Sequence, residues 1–231
     1  MSRAGLLIIN LLLFGSSICL AQYSDQQLYR AYLHRDMHIW EAYLADTDFA
    51  QAPLDEQLRY LNYQYGYVAY AISINHDNAR QLLDDYEANL ETLRPQLPQA
   101  TYLAYKAGAS SYELSLNHWL FGKYGKQIYS EVNRALSADP ANPLAQTMKG
   151  NVEFYGPMGS KHEALKHYEK ADSLYRAQGV SPWLWNVRAV QLTLVQCIDK
   201  TQSREAAIVK CRQILAEEPD FLTLKELYPQ E

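Results

Sequence analysis

Pro98-Gln99-Ala100-Thr101-Tyr102-Leu103-Ala104-Tyr105-Lys106-Ala107-Gly108-Ala109-Ser110-Ser111-Tyr112 is the stretch on which the fold turns. It opens on a proline, carries no second breaker until Gly108, and spaces its tyrosines three and seven residues apart, as one face of a helix does. Its landmarks recur at a period of 42 residues. Gly66, Gly108 and Gly150 share that spacing, as do Pro98, Pro140 and Pro182, and Tyr70, Tyr112 and Phe154. A helical unit of this length cannot bury its apolar face alone, so a recurring unit implies stacked neighbours that complete the core.

Helical punctuation continues along the rest of the chain, and no segment combines β-branched residues with strict alternation, which makes the protein all-α. Ser24 with Gln27 and Ser160 with Glu163 fit the capping box, and Ser181-Pro182 sets a capping residue before a proline at the first helical position. The expected helices span 24–47, 54–75, 77–94, 99–118, 123–137, 143–155, 161–177, 182–199 and 203–217, with a short apolar tail at 220–228. Short polar connections favour antiparallel neighbours.

Composition excludes several classes. The chain has 231 residues, 48% hydrophobic and 20% charged, with 10 Gly, 9 Pro and a net charge of −5, which is a globular and not a disordered composition. A pI near 5.7 argues against a nucleic-acid partner, since phosphate contacts need clustered Lys and Arg.

The N-terminus reads as an export signal. Arg3 is followed by an apolar run over residues 4–14 and by Gly15-Ser16-Ser17-Ile18-Cys19-Leu20-Ala21, small residues suited to cleavage after Ala21. The apolar run is shorter than the roughly 20 residues of a membrane span, and Ile18 stands where an acylated Cys19 would want a small neighbour. The expected domains are a signal peptide over 1–21, a capping helix within 22–53 and a repeat domain over 54–231. The expected location is periplasmic or extracellular, with no transmembrane segment after cleavage. Cys197 and Cys211 remain for an oxidising compartment, but on a hairpin turning near Thr201 their axial offset exceeds a disulfide's Cα reach of about 7 Å.

Ala164-x3-Tyr168-x2-Ala171 and the boundary Ala135-Leu136-Ser137-Ala138-Asp139-Pro140-Ala141-Asn142-Pro143 resemble the tetratricopeptide repeat family, in which Gly66, Gly108 and Gly150 match the small residue of the first helix. The period of 42 departs from that family's 34, and Gln146 stands where it has a large aromatic residue. The resemblance covers about residues 55–220. It implies a right-handed α-α superhelix of about four antiparallel pairs whose first helices line a concave surface.

Chemical constellations are few. His34 and His38, four apart with Asp36 and Glu41 nearby, could begin a zinc site but lack further ligands. His162 and His167 are five apart, one too many for the zinc-protease helix. There is no phosphate loop, nucleophile elbow or Cys-x-x-Cys pair, so no enzyme, metal or cofactor is expected.

The 19 tyrosines are more informative. Tyr60, Tyr63, Tyr67 and Tyr70 make one helical stripe, repeated as Tyr102, Tyr105, Ala109 and Tyr112 and again as Leu144, Thr147, Asn151 and Phe154. Ala104, Ala107, Gly108 and Ser111 form a separate small-residue face for helix packing. With the concave surface that the resemblance implies, Tyr60, Tyr63, Tyr67, Tyr70, Tyr102, Tyr105, Tyr112 and Phe154 are candidate contacts for a peptide or protein partner. The alternative arrangement buries them with their hydroxyls satisfied. The expected function is an exported non-catalytic interaction module, or alternatively a glycan-binding or accessory protein of a cell-envelope complex. In the third repeat the clearest apolar line is instead Leu144, Met148, Val152 and Tyr155, and Met158 tips a glycine-flanked turn. Intact-mass measurement of the exported protein should find Gln22 as its first residue; retained Met1 or an acylated Cys19 overturns the signal-peptide reading.

Overall fold

A computed structural model describes residues 23–179 and 184–229. The signal peptide and the Ser181-Pro182 helix start lie outside the described residues. Within them the chain is helical throughout: α1 (Asp25–His34), α2 (His38–Asp46), α3 (Leu54–Ser73), α4 (Ala79–Leu93), α5 (Gln99–Leu116), α6 (Phe121–Ala138), α7 (Pro143–Tyr155), α8 (Lys161–Ala177), α9 (Trp185–Thr201), α10 (Arg204–Glu217) and α11 (Leu222–Leu227). Consecutive helices pack as the pairs α3/α4, α5/α6, α7/α8 and α9/α10. Ser24, Asn142, Ser160 and Ser203 cap α1, α7, α8 and α10 by accepting a backbone N–H three residues on.

The single helix expected over 24–47 is two. Arg35 takes a left-handed conformation (φ 60°), Asp36 N–H donates to Ala31 O at 2.8 Å and Arg35 N–H to Tyr32 O, which closes α1 in a Schellman motif. The sequence gives no warning, because glycine or asparagine usually fills that position and here it is Arg35. The turn folds α2 back so that fully buried Trp40 donates its indole N–H to Leu28 O at 2.7 Å. Asn75, also left-handed (φ 52°), ends α3 in the same way with a residue type suited to it. His34 and His38 therefore lie on different helices and do not share a face; each instead sits beside an exposed acid, Asp220 and Glu41.

The 42-residue glycines are aromatic seats. A Cβ on Gly66 would lie 2.7 Å from Trp40 and 2.8 Å from Trp185, one on Gly108 2.6 Å from Tyr65, and one on Gly150 2.6 Å from Tyr168. The close approach that the small residues permit is thus made by rings from neighbouring helices.

The array closes on itself. α11 packs on α1, Trp40 meets Trp185 at 5.3 Å between ring centroids, and Asn62 donates to Asn186 at 3.0 Å across α3 and α9. Tyr29 of α1 donates to Glu218 at 2.6 Å and accepts from Arg188 of α9 at 2.7 Å. Cys197 and Cys211 are buried and form no disulfide.

Gly108→Leu should lower stability by about 1–3 kcal/mol through overpacking against Tyr65. Gly122→Ala, with nothing within 4 Å of the added carbon, should leave it unchanged or slightly raised. Thermal melts of both variants check the pair, and equal losses would contradict the ring-on-glycine packing.

Candidate functional site

The inner helices line a half-open cavity of about 1260 Å³. Its walls follow the 42-residue period on a face that shares Tyr70 and Tyr112 with the tyrosine stripe. Gly66, Ala69, Tyr70 and Ser73 of α3 and Gly108, Ser111, Tyr112 and Ser115 of α5 occupy matching positions along the lining. These i, i+3, i+4, i+7 sets are single helix faces made mostly of small residues, and smallness leaves the space. α7 presents Leu144, Thr147, Met148, Asn151, Val152 and Tyr155, so in the third repeat both sequence lines converge on the cavity.

Rings complete the enclosure. Tyr32 stacks near Trp40 (5.9 Å, 20° between planes), Trp40 meets Trp185 edge-on, and Tyr65 lies within 6.2 Å of Tyr105, Tyr112, Tyr86 and Trp185. Tyr65 donates to Met148 Sδ at 3.3 Å, which ties α3 to α7 across the interior. Exposed lining residues mark the mouth: Arg35, Ser73, Ile74, His118, Phe121 and Tyr155. Met158, 83% exposed, stands just beyond Pro157 at this rim.

Two polar atoms on these walls are buried without a hydrogen-bond partner among the described residues, Trp185 Nε1 and Tyr129 Oη. An unpaired buried donor costs about 1–3 kcal/mol, so each is a point where a bound molecule gains a hydrogen bond at little desolvation cost. No carboxylate lines the cavity among the described residues, and none of them gathers three or more His, Cys, Asp or Glu side chains suited to a metal ion.

The tyrosines named from the sequence divide between core and cavity, and do not form one continuous exposed surface. Tyr63, Tyr67, Tyr102 and Tyr105 are buried. Tyr63 packs edge-on against Trp40 at 4.9 Å, Tyr102 donates to Glu91 at 2.7 Å and Tyr105 to Asn62 at 3.1 Å. Half-buried Tyr60 packs on Phe49 and Tyr43 away from the cavity, and Phe154 lies between Tyr155 and Tyr168. Tyr70 and Tyr112 alone of the eight line the cavity, and Tyr112 donates to Tyr65 O at 3.1 Å. The small-residue face assigned to helix packing supplies Gly108 and Ser111 to the lining, while Ala104 and Ala107 are fully buried. Tyr32, Trp40, Tyr65 and Trp185 escaped the sequence reading because the chain's two ends deliver Tyr32, Trp40 and Trp185 and the opposite side of α3 delivers Tyr65. The 42-residue recurrence of Ala69 with Ser111 and of Ser73 with Ser115 was the available signal.

His167, the second of the rejected histidine pair, bonds Gln146 at 2.7 Å, and burial holds its pKa below the ordinary value. Gln146 thereby fills, as a hydrogen-bonded pair with His167, the place of the aromatic residue expected from the resemblance.

No protein-family model and no curated protein matches the chain. Among solved structures the fold is similar to that of the HusA haemophore from Porphyromonas gingivalis, with a TM-score of 0.58 and 21% identity over 78% of this chain and 96% of that one. The likeness establishes the helical fold.

Burial raises the pKa of Tyr29 to about 12, with the Glu218 hydrogen bond adding to it, and burial likewise takes Tyr67 and Tyr228 to about 12. An ordinary phenol titrates near 10. The folded state therefore holds these protons more tightly than the unfolded chain, a stabilisation present below about pH 10 and lost as pH rises towards 12. Tyrosinate absorbance should consequently rise together with loss of helical circular dichroism; most tyrosines ionising near pH 10 with helicity intact would contradict the burial.

Proposed function

We propose that this chain is an exported, non-catalytic binding protein whose cavity holds a large, planar, mainly apolar molecule of the porphyrin class, haem included. The observation that carries the reading is the cavity itself. Its roughly 1260 Å³ exceed the about 300–1,000 Å³ usual for small-molecule sites, and its walls present aromatic rings and small residues. The half-buried or exposed rings of Tyr70, Tyr112, Tyr129, Phe121 and Tyr155 in the lining suit contact with a wide π-system. Tyr70, Tyr129, Met37 and His118 in the lining are residue types that ligate haem iron elsewhere. The similarity to a haemophore supports the same class of ligand, and the charged n-region at Arg3 with the apolar h-region before Ala21 supports export.

An extended peptide along the tyrosine stripe has less support, because Tyr63, Tyr67, Tyr102 and Tyr105 are committed to the interior. A glycan is served less well by walls whose surface is mainly apolar and that carry no carboxylate among the described residues. The paired helices at a 42-residue period remain consistent with a divergent tetratricopeptide-like array adapted to enclose a ligand.

Titration of the mature protein with haem should shift and sharpen the Soret band and quench tryptophan fluorescence, since Trp40 and Trp185 border the cavity. Ser111→Phe, which fills the cavity from the α5 wall, should weaken binding at least about tenfold while changing stability by less than about 1 kcal/mol. Absence of any spectral change at micromolar protein, or full binding by Ser111→Phe, overturns the proposal.

A further inference from the structure

Charge is distributed very unevenly around the cavity. Among the described residues that line it there is no Asp, Glu or Lys, and Arg35 carries the one permanent charge. Arg35 stands at the mouth where α1 ends, Thr223 of α11 also lines the cavity, and the Arg35 guanidinium pairs with Glu226. Both partners are more than half exposed, at 55% and 61%, so this ion pair is screened and readily exchanged.

The backbone supplies a second, independent observation. Arg35 occupies a left-handed C′ position (φ 60°) that glycine fills without strain and that a long side chain disfavours. Local backbone preference is therefore not the reason for arginine at this place. Its side chain must supply it, and what that side chain reaches is the exposed Glu226 and the mouth of an otherwise uncharged cavity.

From these two observations we infer that the cavity's ligand is an acid, whose ionised carboxylate is received at the mouth by Arg35 in exchange for Glu226 while the planar body enters among the rings. A guanidinium offers a planar fork of donors matched to a carboxylate, which is stronger and more directional than a lysine contact. The amphipathic ligand is thereby oriented, acid outward and apolar ring inward, and a neutral analogue of the same shape loses the contact at the mouth. The inference rests on the porphyrin-class reading of the cavity and adds the ligand's charge and orientation to it.

The test compares protoporphyrin IX, a dicarboxylic acid, with its dimethyl ester, which keeps the ring system and loses the charges, each titrated into the mature protein by tryptophan quenching. The wild type should bind the diacid about tenfold or more tightly than the ester, in keeping with a hydrogen-bonded charge contact. Arg35→Gly, chosen because glycine suits the backbone there, should bring the diacid down to the affinity of the ester, leave the ester unchanged and keep or raise the melting temperature. Arg35→Gln should do the same without altering the turn's entropy, and Glu226→Gln should bind the diacid as tightly as the wild type or more so. Equal wild-type affinities for diacid and ester, or a preference that survives Arg35→Gly, would overturn the assignment of Arg35 while leaving the cavity a porphyrin site. Binding of neither compound would instead remove the porphyrin reading, and this inference with it.

Discussion

A ring resting on a glycine is the contact from which the rest of the structure follows. Gly66 receives Trp40 and Trp185, Gly108 receives Tyr65, and Gly150 receives Tyr168, each at a distance that even a methyl group would violate. Dispersion falls steeply with a gap of half an ångström, so seating a flat ring directly on a helix backbone recovers contact that a side chain at that position would forfeit. The first two seats border the cavity and the third does not. Packing and ligand space thus have a common origin: the small residues that admit Tyr65 and Trp185 to the inner helices continue along the same faces as Ala69, Ser73, Ser111 and Ser115, where no ring fills the gap.

Closure of the array turns that gap into a half-open cavity with a mouth. An open array of four pairs would present its inner helices as a groove. Here α1, α2 and α11 bring Tyr32, Trp40 and Thr223 to one side of it, and the Tyr29, Arg188 and Glu218 cluster fastens the two ends of the chain. Residues 159 and 189 positions from Tyr29 thus meet on its hydroxyl. Such a contact has no local signature, which is the physical reason that the sequence showed the helix pairs but not the cavity's aromatic wall.

What local chemistry determines was legible. The hydroxyl caps at Ser24 and Ser160, the start of α7 at Pro143 after Asn142, and the 42-residue spacing of the glycines follow from short-range rules and hold, although the Ser160 N–H donates to Glu153 and not to Glu163 as a capping box requires. The break at Arg35 was not legible, since a left-handed arginine looks like any helical residue on paper. The tyrosine stripe was visible as periodicity, but periodicity reports that residues share a face and not what covers that face. α2 covers it at Tyr60 and Tyr63, while the hydroxyls of Tyr102 and Tyr105 answer to Glu91 and Asn62.

The abundance of tyrosine over phenylalanine follows from the same geometry. In a bundle closed around a cavity, a buried ring extends from one helix to the polar backbone or side chains of another, and a hydroxyl at its far end converts that reach into a directional bond. Tyr43 reaches Glu56, Tyr86 the carbonyl of Tyr105, Tyr112 that of Tyr65, and Tyr168 Asn151, each joining two helices. Phenylalanine would fill the same volume and lose the directional bond between the two helices. Trp185 and Tyr129 stand apart on the cavity wall, where their N–H and O–H meet no partner among the described residues. Two polar atoms left uncommitted beside one space put unmet bonding capacity where a ligand can use it.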